Sequence, residues 1–184
     1  YLLNVDGTQV GGPGLLDGNL IYDVDWDGVK VKGGKDNVVE GNVIHDTTRI
    51  GVYGEGTNNA LVTKNIVSNA NLDLFGAITL LGGQDHEISY NVITGPASGA
   101  DSGIYLGLVT GGNNEIKGNI IHDVKGTGIE VKNVTNVDVN NNVITKTSRI
   151  EANGNGDGIR VRDSNGAVNI IGNIGLRALD HRNI

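Results

Sequence analysis

The sequence predicts an all-β fold, a parallel β-helix of about seven coils, each of 23–31 residues. Three observations predict it. The triplet Asn-aliphatic-aliphatic recurs at Asn19-Leu20-Ile21, Asn42-Val43-Ile44, Asn65-Ile66-Val67, Asn91-Val92-Ile93, Asn119-Ile120-Ile121 and Asn142-Val143-Ile144, and shortened at Asn173-Ile174. An aliphatic stands three residues before each anchor: Leu16, Val39, Val62, Ile88, Ile116, Val139 and Ile170. A small residue then opens a short apolar strand, as in Gly28-Val29-Lys30-Val31, Gly51-Val52-Tyr53, Ala77-Ile78-Thr79-Leu80, Gly103-Ile104-Tyr105-Leu106, Gly128-Ile129-Glu130-Val131 and Gly158-Ile159-Arg160-Val161.

Each element follows from these residues. A repeat holding only tiny strands cannot bury its aliphatic side chains alone, so coils must stack and bury them jointly. Each strand then pairs with its equivalent one coil away, at roughly 4.8 Å, which makes seven coils about 34 Å long. Asparagine is expected at the corners, where it tolerates a left-handed backbone and bonds the next amide in the stack. Glycine serves turns that need positive φ. The residue after each anchor (Leu20, Val43, Ile66, Val92, Ile120, Val143, Ile174) lies outward if alternation holds; it is expected to reflect β-propensity or a bend that turns it inward, rather than a stripe that contacts another chain.

Composition bounds the function. The 184 residues form one domain, 1–184, and the uncapped apolar ends are expected to belong to a longer protein or to stack end to end in self-association. Absence of cysteine excludes disulfides, thiolate metal sites and cysteine nucleophiles. A net charge of −7 gives no basic footprint for nucleic acid. No apolar run approaches the ~20 residues needed to span a bilayer, so membrane insertion is not expected.

The repeat resembles the right-handed parallel β-helix family, which includes pectate lyases, polygalacturonases, alginate lyases, mannuronan epimerases, phage tailspikes and many surface proteins. The resemblance runs from about Leu16 to Ile174. It implies a single-stranded right-handed parallel β-helix, secreted or displayed on the cell surface, with a polysaccharide as partner. The catalytic motifs of the family do not carry over. No Asn-Thr-Asp or Gly-His-Gly segment occurs, and Tyr53-Gly54-Glu55-Gly56 keeps only the first two residues of the epimerase pattern.

The coils differ mainly at one corner. From anchor to strand opening takes nine residues at Asn19, Asn42 and Asn119, twelve at Asn65 and Asn91, and sixteen at Asn142. The extra residues, Asn71–Asp73, Pro96–Gly99 and Ser148–Asn153, are expected to form a rim. Beside it, the middle position of each Gly-Ile-x-Val strand points outward and reads Lys30, Tyr53, Thr79, Tyr105, Glu130, Arg160. Tyr53 and Tyr105, two coils apart, offer a platform for sugar rings. Lys30, Tyr53, Thr79, Arg149 and Glu151 are therefore candidate substrate-binding residues. Glu130 as acid or base and Arg160 as carboxylate-binding cation, with Tyr105, Asp101 and Asp157, are the candidate catalytic set. A lyase, epimerase or hydrolase is the expected class of enzyme; the alternative is a non-catalytic structural, adhesive or filament-forming solenoid.

No motif demands a cofactor. Calcium has an incomplete candidate site at Asp23, Asp25 and Asp27, which open an Asp-x-Asp-x-Asp-Gly segment but lack the bidentate Glu at position twelve, where Gly34 stands; a weaker echo at Asn153–Gly158 fails likewise, with Ser164 there. His45-Asp46 and His122-Asp123 resemble base–orienter pairs. Alternation on a strand should instead send each Asp away from its His, into the turn.

Overall fold

The computed structural model describes residues 1–14, 17–70, 75–95, 102–147 and 156–176. Three parallel sheets of seven strands each form the three walls of the solenoid. Every coil visits them in the same order. The first sheet stacks Leu2–Leu3, Val29–Lys32, Val52–Glu55, Gly76–Leu81, Ser102–Gly107, Ile129–Lys132 and Ile159–Arg162. The second stacks Gln9–Gly11, Val38–Glu40, Leu61–Thr63, Glu87–Ser89, Asn114–Lys117, Val137–Asn140 and Val168–Ile171. The third stacks Leu20–Val24, Val43–Thr47, Ile66–Ser68, Val92–Thr94, Ile120–His122, Val143–Thr145 and Ile174–Leu176.

The core consists of aliphatic rows. Val52, Ile78, Ile104 and Ile129 line up on the first sheet, Val62, Ile88, Ile116 and Val139 on the second, and Ile44, Val67, Ile93, Ile121 and Ile144 on the third. Every one of them is fully or almost fully buried. Each such side chain contributes about 1.5–3 kcal/mol by leaving water. Four of the glycines that open strands are required for space, not for φ. A Cβ on Gly28, Gly51, Gly103 or Gly128 would lie 2.4–2.7 Å from the inner aliphatic of the next coil, Ile44, Val67, Ile121 or Ile144.

All seven anchor asparagines form one continuous ladder. Taking Asn91 as the example, its Oδ1 accepts from the backbone N–H (2.9 Å) and Nδ2 (3.0 Å) of Asn65. Its Nδ2 donates to the Val62 carbonyl (2.9 Å) and to Asn119 Oδ1 (3.0 Å). The same bonds run from Asn19 to Asn173. The anchors from Asn42 to Asn142 are completely buried. They bond the stack as expected, but the left-handed residue at this corner is the one before the anchor: Gly41, Lys64, Tyr90, Gly118, Asn141 and Gly172 all have φ of 55–70°.

That placement rules out the inward bend as the account of the residue after the anchor. The bend precedes the asparagine, so alternation has already resumed and the next residue faces out. Leu20, Val43, Ile66, Ile120 and Ile174 are exposed, in register across the third sheet. The His45–Asp46 expectation is corrected for a related reason. Asp46 has φ of 54°, which brings its carboxylate back beside the ring, with Nδ1 and Oδ2 2.7 Å apart. The imidazole and the Asn69 amide hold the Asp46 carboxyl below its usual range. His122 instead meets the Thr145 hydroxyl at 2.6 Å.

A shorter second ladder stands where the first sheet turns into the second. Asn37 Oδ1 accepts the Thr8 N–H (3.2 Å), and Asn114 Oδ1 accepts the His86 N–H (3.0 Å). Between them His86 Nδ1 lies 3.4 Å from the Ala60 N–H, and Nε2 lies 2.9 Å from the Gly82 carbonyl. This network needs the neutral ring with its proton on Nε2.

Two outcomes follow. Asn91→Ala strands two buried donors of Asn65, so chemical denaturation should show a loss of about 3 kcal/mol or more, against less than about 1 kcal/mol for Asn19→Ala on the exposed first coil. Burial pushes the His86 pKa below 6.5, with Asp85 and the Gly82 carbonyl partly opposing. The unfolded chain then binds the proton more readily, so the contribution of His86 is complete above about pH 6.5 and shrinks as pH falls below it. His86→Asn, with the residue that Asn37 and Asn114 already supply to this ladder, should keep the melting temperature near neutrality and flatten its decline toward about pH 5.

Candidate functional site

The outer face of the first sheet is set by strand register. Lys30, Tyr53, Thr79, Tyr105, Glu130 and Arg160 are consecutive cross-strand partners, as period-two alternation requires. A second outward row, two residues on, reads Leu3, Lys32, Glu55, Leu81, Gly107, Lys132 and Arg162. Both rows together form a face about three to four residues wide.

The middle of this face is closed rather than open to solvent. Thr79 is fully buried, and Tyr53, Tyr105 and Glu130 are 6–8% exposed. Local contacts account for each. The Thr79 hydroxyl folds back on its own strand, donating to the Gly76 carbonyl (2.8 Å) while accepting the Gly76 N–H (2.9 Å). The Tyr105 ring lies over Gly107, where a Cβ would come within 2.4 Å of Cε1, and meets Phe75 edge-on at 5.2 Å. Tyr53 carries the Lys30 ammonium 4.7 Å above its ring. Burial, followed by the nearby carboxylates (Glu55 and Asp27 at Tyr53, Glu130 at Tyr105), pushes both tyrosine pKa values above 10, so both phenols keep their protons at neutral pH.

Glu130 is bound diagonally. Its cross-strand partner is Arg160, yet its carboxylate pairs with Arg162, which donates from Nε (2.9 Å) and Nη2 to Oε1. Ser102 Oγ stands 3.4 Å from Oε2. This partnership raises the Arg162 pKa, the hydrogen bond to Glu130 being the largest cause. The sequence reading missed Arg162, Ser102 and Phe75. Period-two alternation places Arg162 on the same face as Arg160, and that signal was available; the reach of Ser102 and Phe75 depends on backbone paths at the strand openings.

The remaining candidates are dispersed. Arg160 is half-buried at the end of the row, and Asp157 is exposed beside it, its carbonyl accepting the Gly128 N–H at 2.9 Å. Asp101, Arg149 and Glu151 lie outside the described residues, as do the insertions Asn71–Asp73, Pro96–Gly99 and Ser148–Asn153. The three aspartates of the calcium-like segment are not brought together: Asp23 and Asp25 are exposed, whereas Asp27 turns inward and accepts the Ile50 N–H at 3.3 Å. Among the described residues no three His, Asp or Glu side chains form a group suited to a metal ion. No helix among the described residues is long and apolar enough to cross a membrane.

Comparison with known proteins bears on the scaffold. The model of the right-handed β-helix region matches residues 3–174. A search of curated proteins finds no match. Among solved structures, the catalytic domain of Agl-KA superposes with a TM-score of 0.54 at 14% identity, over 94% of this chain and 45% of that one. PfbA, a surface adhesin of Streptococcus pneumoniae, gives 0.54 at 14% identity, over 94% of this chain and 50% of that one. The enzymatically active domain of tailspike protein 2 from bacteriophage CBA120 gives 0.43 at 15% identity, over 95% of this chain and 37% of that one. The chain thus spans half or less of each of these structures, and its likeness to the first two is one of fold.

The diagonal ion pair makes a specific forecast. Arg162→Gln leaves the Glu130 carboxylate enclosed without its cation and should cost about 1–3 kcal/mol in denaturant unfolding. Adding Glu130→Gln should recover part of that loss, and a double-mutant cycle measures the coupling.

Proposed function

This chain belongs to the right-handed β-helix family, and from that premise we propose that it is an extracellular protein, secreted or held at the cell surface, that binds a polysaccharide along the outer face of its first sheet. The observation that carries the reading is the charge on that face. Lys30, Lys32, Lys132, Arg160 and Arg162 stand there against only Glu55 and Glu130, in a chain whose net charge is −7. The cations flank Tyr53, Thr79 and Tyr105, so a bound chain would meet positive charge at both ends and a packed, nearly closed surface between. Lys30 and Arg160 are five strand steps apart, about 24 Å. An extended polymer spans that length, and acidic groups on it would be favoured.

Binding, more than catalysis, suits the side-chain chemistry. Glu130 is committed to Arg162 and Ser102, and both tyrosine hydroxyls stay protonated. The catalytic version of the proposal is a lyase, epimerase or hydrolase in which Tyr105, Glu130 and Arg160 touch the sugar, and it requires substrate to displace Arg162. A second reading, a structural or adhesive solenoid that continues into further coils or stacks end to end, is favoured by one observation. Val161 and Ile170 occupy core rows in the last described strands of their sheets, yet are 39% and 47% exposed. PfbA, described as a surface adhesin, has the same fold.

One set of titrations separates these readings. Alginate, pectin and chondroitin should bind more tightly than neutral glucans, and more weakly as salt rises. Lys32→Gln with Lys132→Gln should weaken retention and reduce the salt dependence without altering the melting temperature. Unsaturated products absorbing in the ultraviolet, or new reducing ends, would mark catalysis. Equal retention of the wild type and the double variant on every polymer would refute the proposal, and particle growth with concentration in light scattering would favour stacking.

A further inference from the structure

One corner beside the first sheet holds hydrogen-bonding capacity that the described residues leave unused. Asp27 follows a third-sheet strand, and its side chain is only 1% exposed. Oδ1 accepts the Ile50 N–H, but Oδ2 accepts no hydrogen bond. Two cations face that oxygen, Lys30 Nζ at 3.9 Å and Arg49 Nη1 at 3.8 Å. Both distances exceed hydrogen-bonding range, so attraction is present while the N–H donors remain unspent.

Aromatic faces hold the two cations in place. Lys30 rests over Tyr53, and the Arg49 guanidinium carbon lies 4.4 Å from the ring centre of Trp26. A cation–π contact fixes a cation without consuming its donors. The Glu55 carboxylate, on the strand that pairs with that of Lys30, is taken by Lys32 at 2.9 Å. Trp26 is 60% exposed, so part of the indole stays open to a ligand.

Chemistry narrows what fits. Lys30 and Arg49 outweigh Asp27 by one positive charge, so the group that completes the corner is anionic. A carboxylate can accept from both cations, with guanidinium geometry suited to it. Asp27 Oδ2 is an acceptor and needs a donor, which a carboxylate lacks and a sugar hydroxyl supplies. The indole offers an apolar surface to ring C–H groups.

We propose that Trp26, Asp27, Lys30 and Arg49 form a subsite for an acidic sugar unit, whose carboxylate bridges Lys30 and Arg49 while a neighbouring hydroxyl donates to Asp27. Asp27 thereby acts as a sugar acceptor rather than a metal ligand. Lys30 heads the outer row, so the polymer form of this inference rests on the function proposed above, whereas a monomer tests the subsite by itself.

Trp26 is the only tryptophan, so intrinsic fluorescence reports on this corner. Glucuronate, glucose and acetate are titrated at constant ionic strength, with calorimetry in parallel. Glucuronate should give a saturable change with affinity about tenfold or more above that for glucose or acetate. Arg49→Gln should weaken glucuronate about tenfold, and Asp27→Asn should narrow the gap between glucuronate and acetate, with circular dichroism confirming that both variants are folded. Equal affinities for glucuronate and either control, or no binding by both methods, would overturn the subsite. Glucuronate binding without retention of any polymer would leave the subsite standing and remove the outer-face reading. Polymer retention that is indifferent to Arg49→Gln, with Trp26 fluorescence unchanged, would do the reverse.

Discussion

The buried asparagine ladder is the constraint on which the rest of the molecule depends. An amide deprived of water must find partners for one acceptor oxygen and two donor hydrogens. Inside the solenoid most of those partners lie on neighbouring coils, at the backbone amide and side chain of adjacent anchors and the carbonyl of an aliphatic strand, with the carbonyl two residues before the anchor as a further acceptor. Each asparagine therefore ties three successive coils at fixed register. A slip of one residue would strand several buried polar groups at once, and it would reverse which side chains face the core. Aliphatic packing supplies most of the stabilisation, but it is non-directional. The ladder selects the register.

Register in turn writes the outer face. Once each strand of the first sheet is aligned with its neighbours, residues about two dozen positions apart become adjacent, and charges scattered through the sequence gather. How they pair is decided by finer geometry. Glu130 reaches past its cross-strand neighbour Arg160 to pair with Arg162. Tyr105 lies down because Gly107 has no side chain to hold it upright. The result is a polar face whose centre is packed and whose two ends are cationic.

Much of this was legible in the sequence. The anchors, the inner aliphatics and the identity of the outward row follow from a repeat that the core imposes on every coil. Burial on the outer face was not legible, because it arises from a missing Cβ at Gly107, a back-folded hydroxyl at Thr79 and a diagonal ion pair. Period-two alternation specifies direction and says nothing of what lies on top. The direction of the apolar file after the anchors was not settled by the sequence, because it depends on which residue of the corner is left-handed. In the structure that residue sits one position before the asparagine, at residues such as Lys64 and Tyr90, whose type gives no hint of positive φ. The closeness of His45 and Asp46 has the same origin, a local backbone state that hydrophobic pattern does not encode.

The even 23-residue step between Asn42 and Asn65 has a modular consequence. Lys30 and Tyr53, Val39 and Val62, and Ile44 and Val67 are separated by that same number, so one turn of the spiral is a self-contained cassette. Excising residues 42–64 would rejoin Gly41 to Asn65 with all three walls still matched and Lys30 brought next to Thr79. The particle would shorten by one rung, about 4.8 Å, a change that small-angle scattering can detect. Reach along the surface is thus set in whole rungs, like the gradations of a ruler.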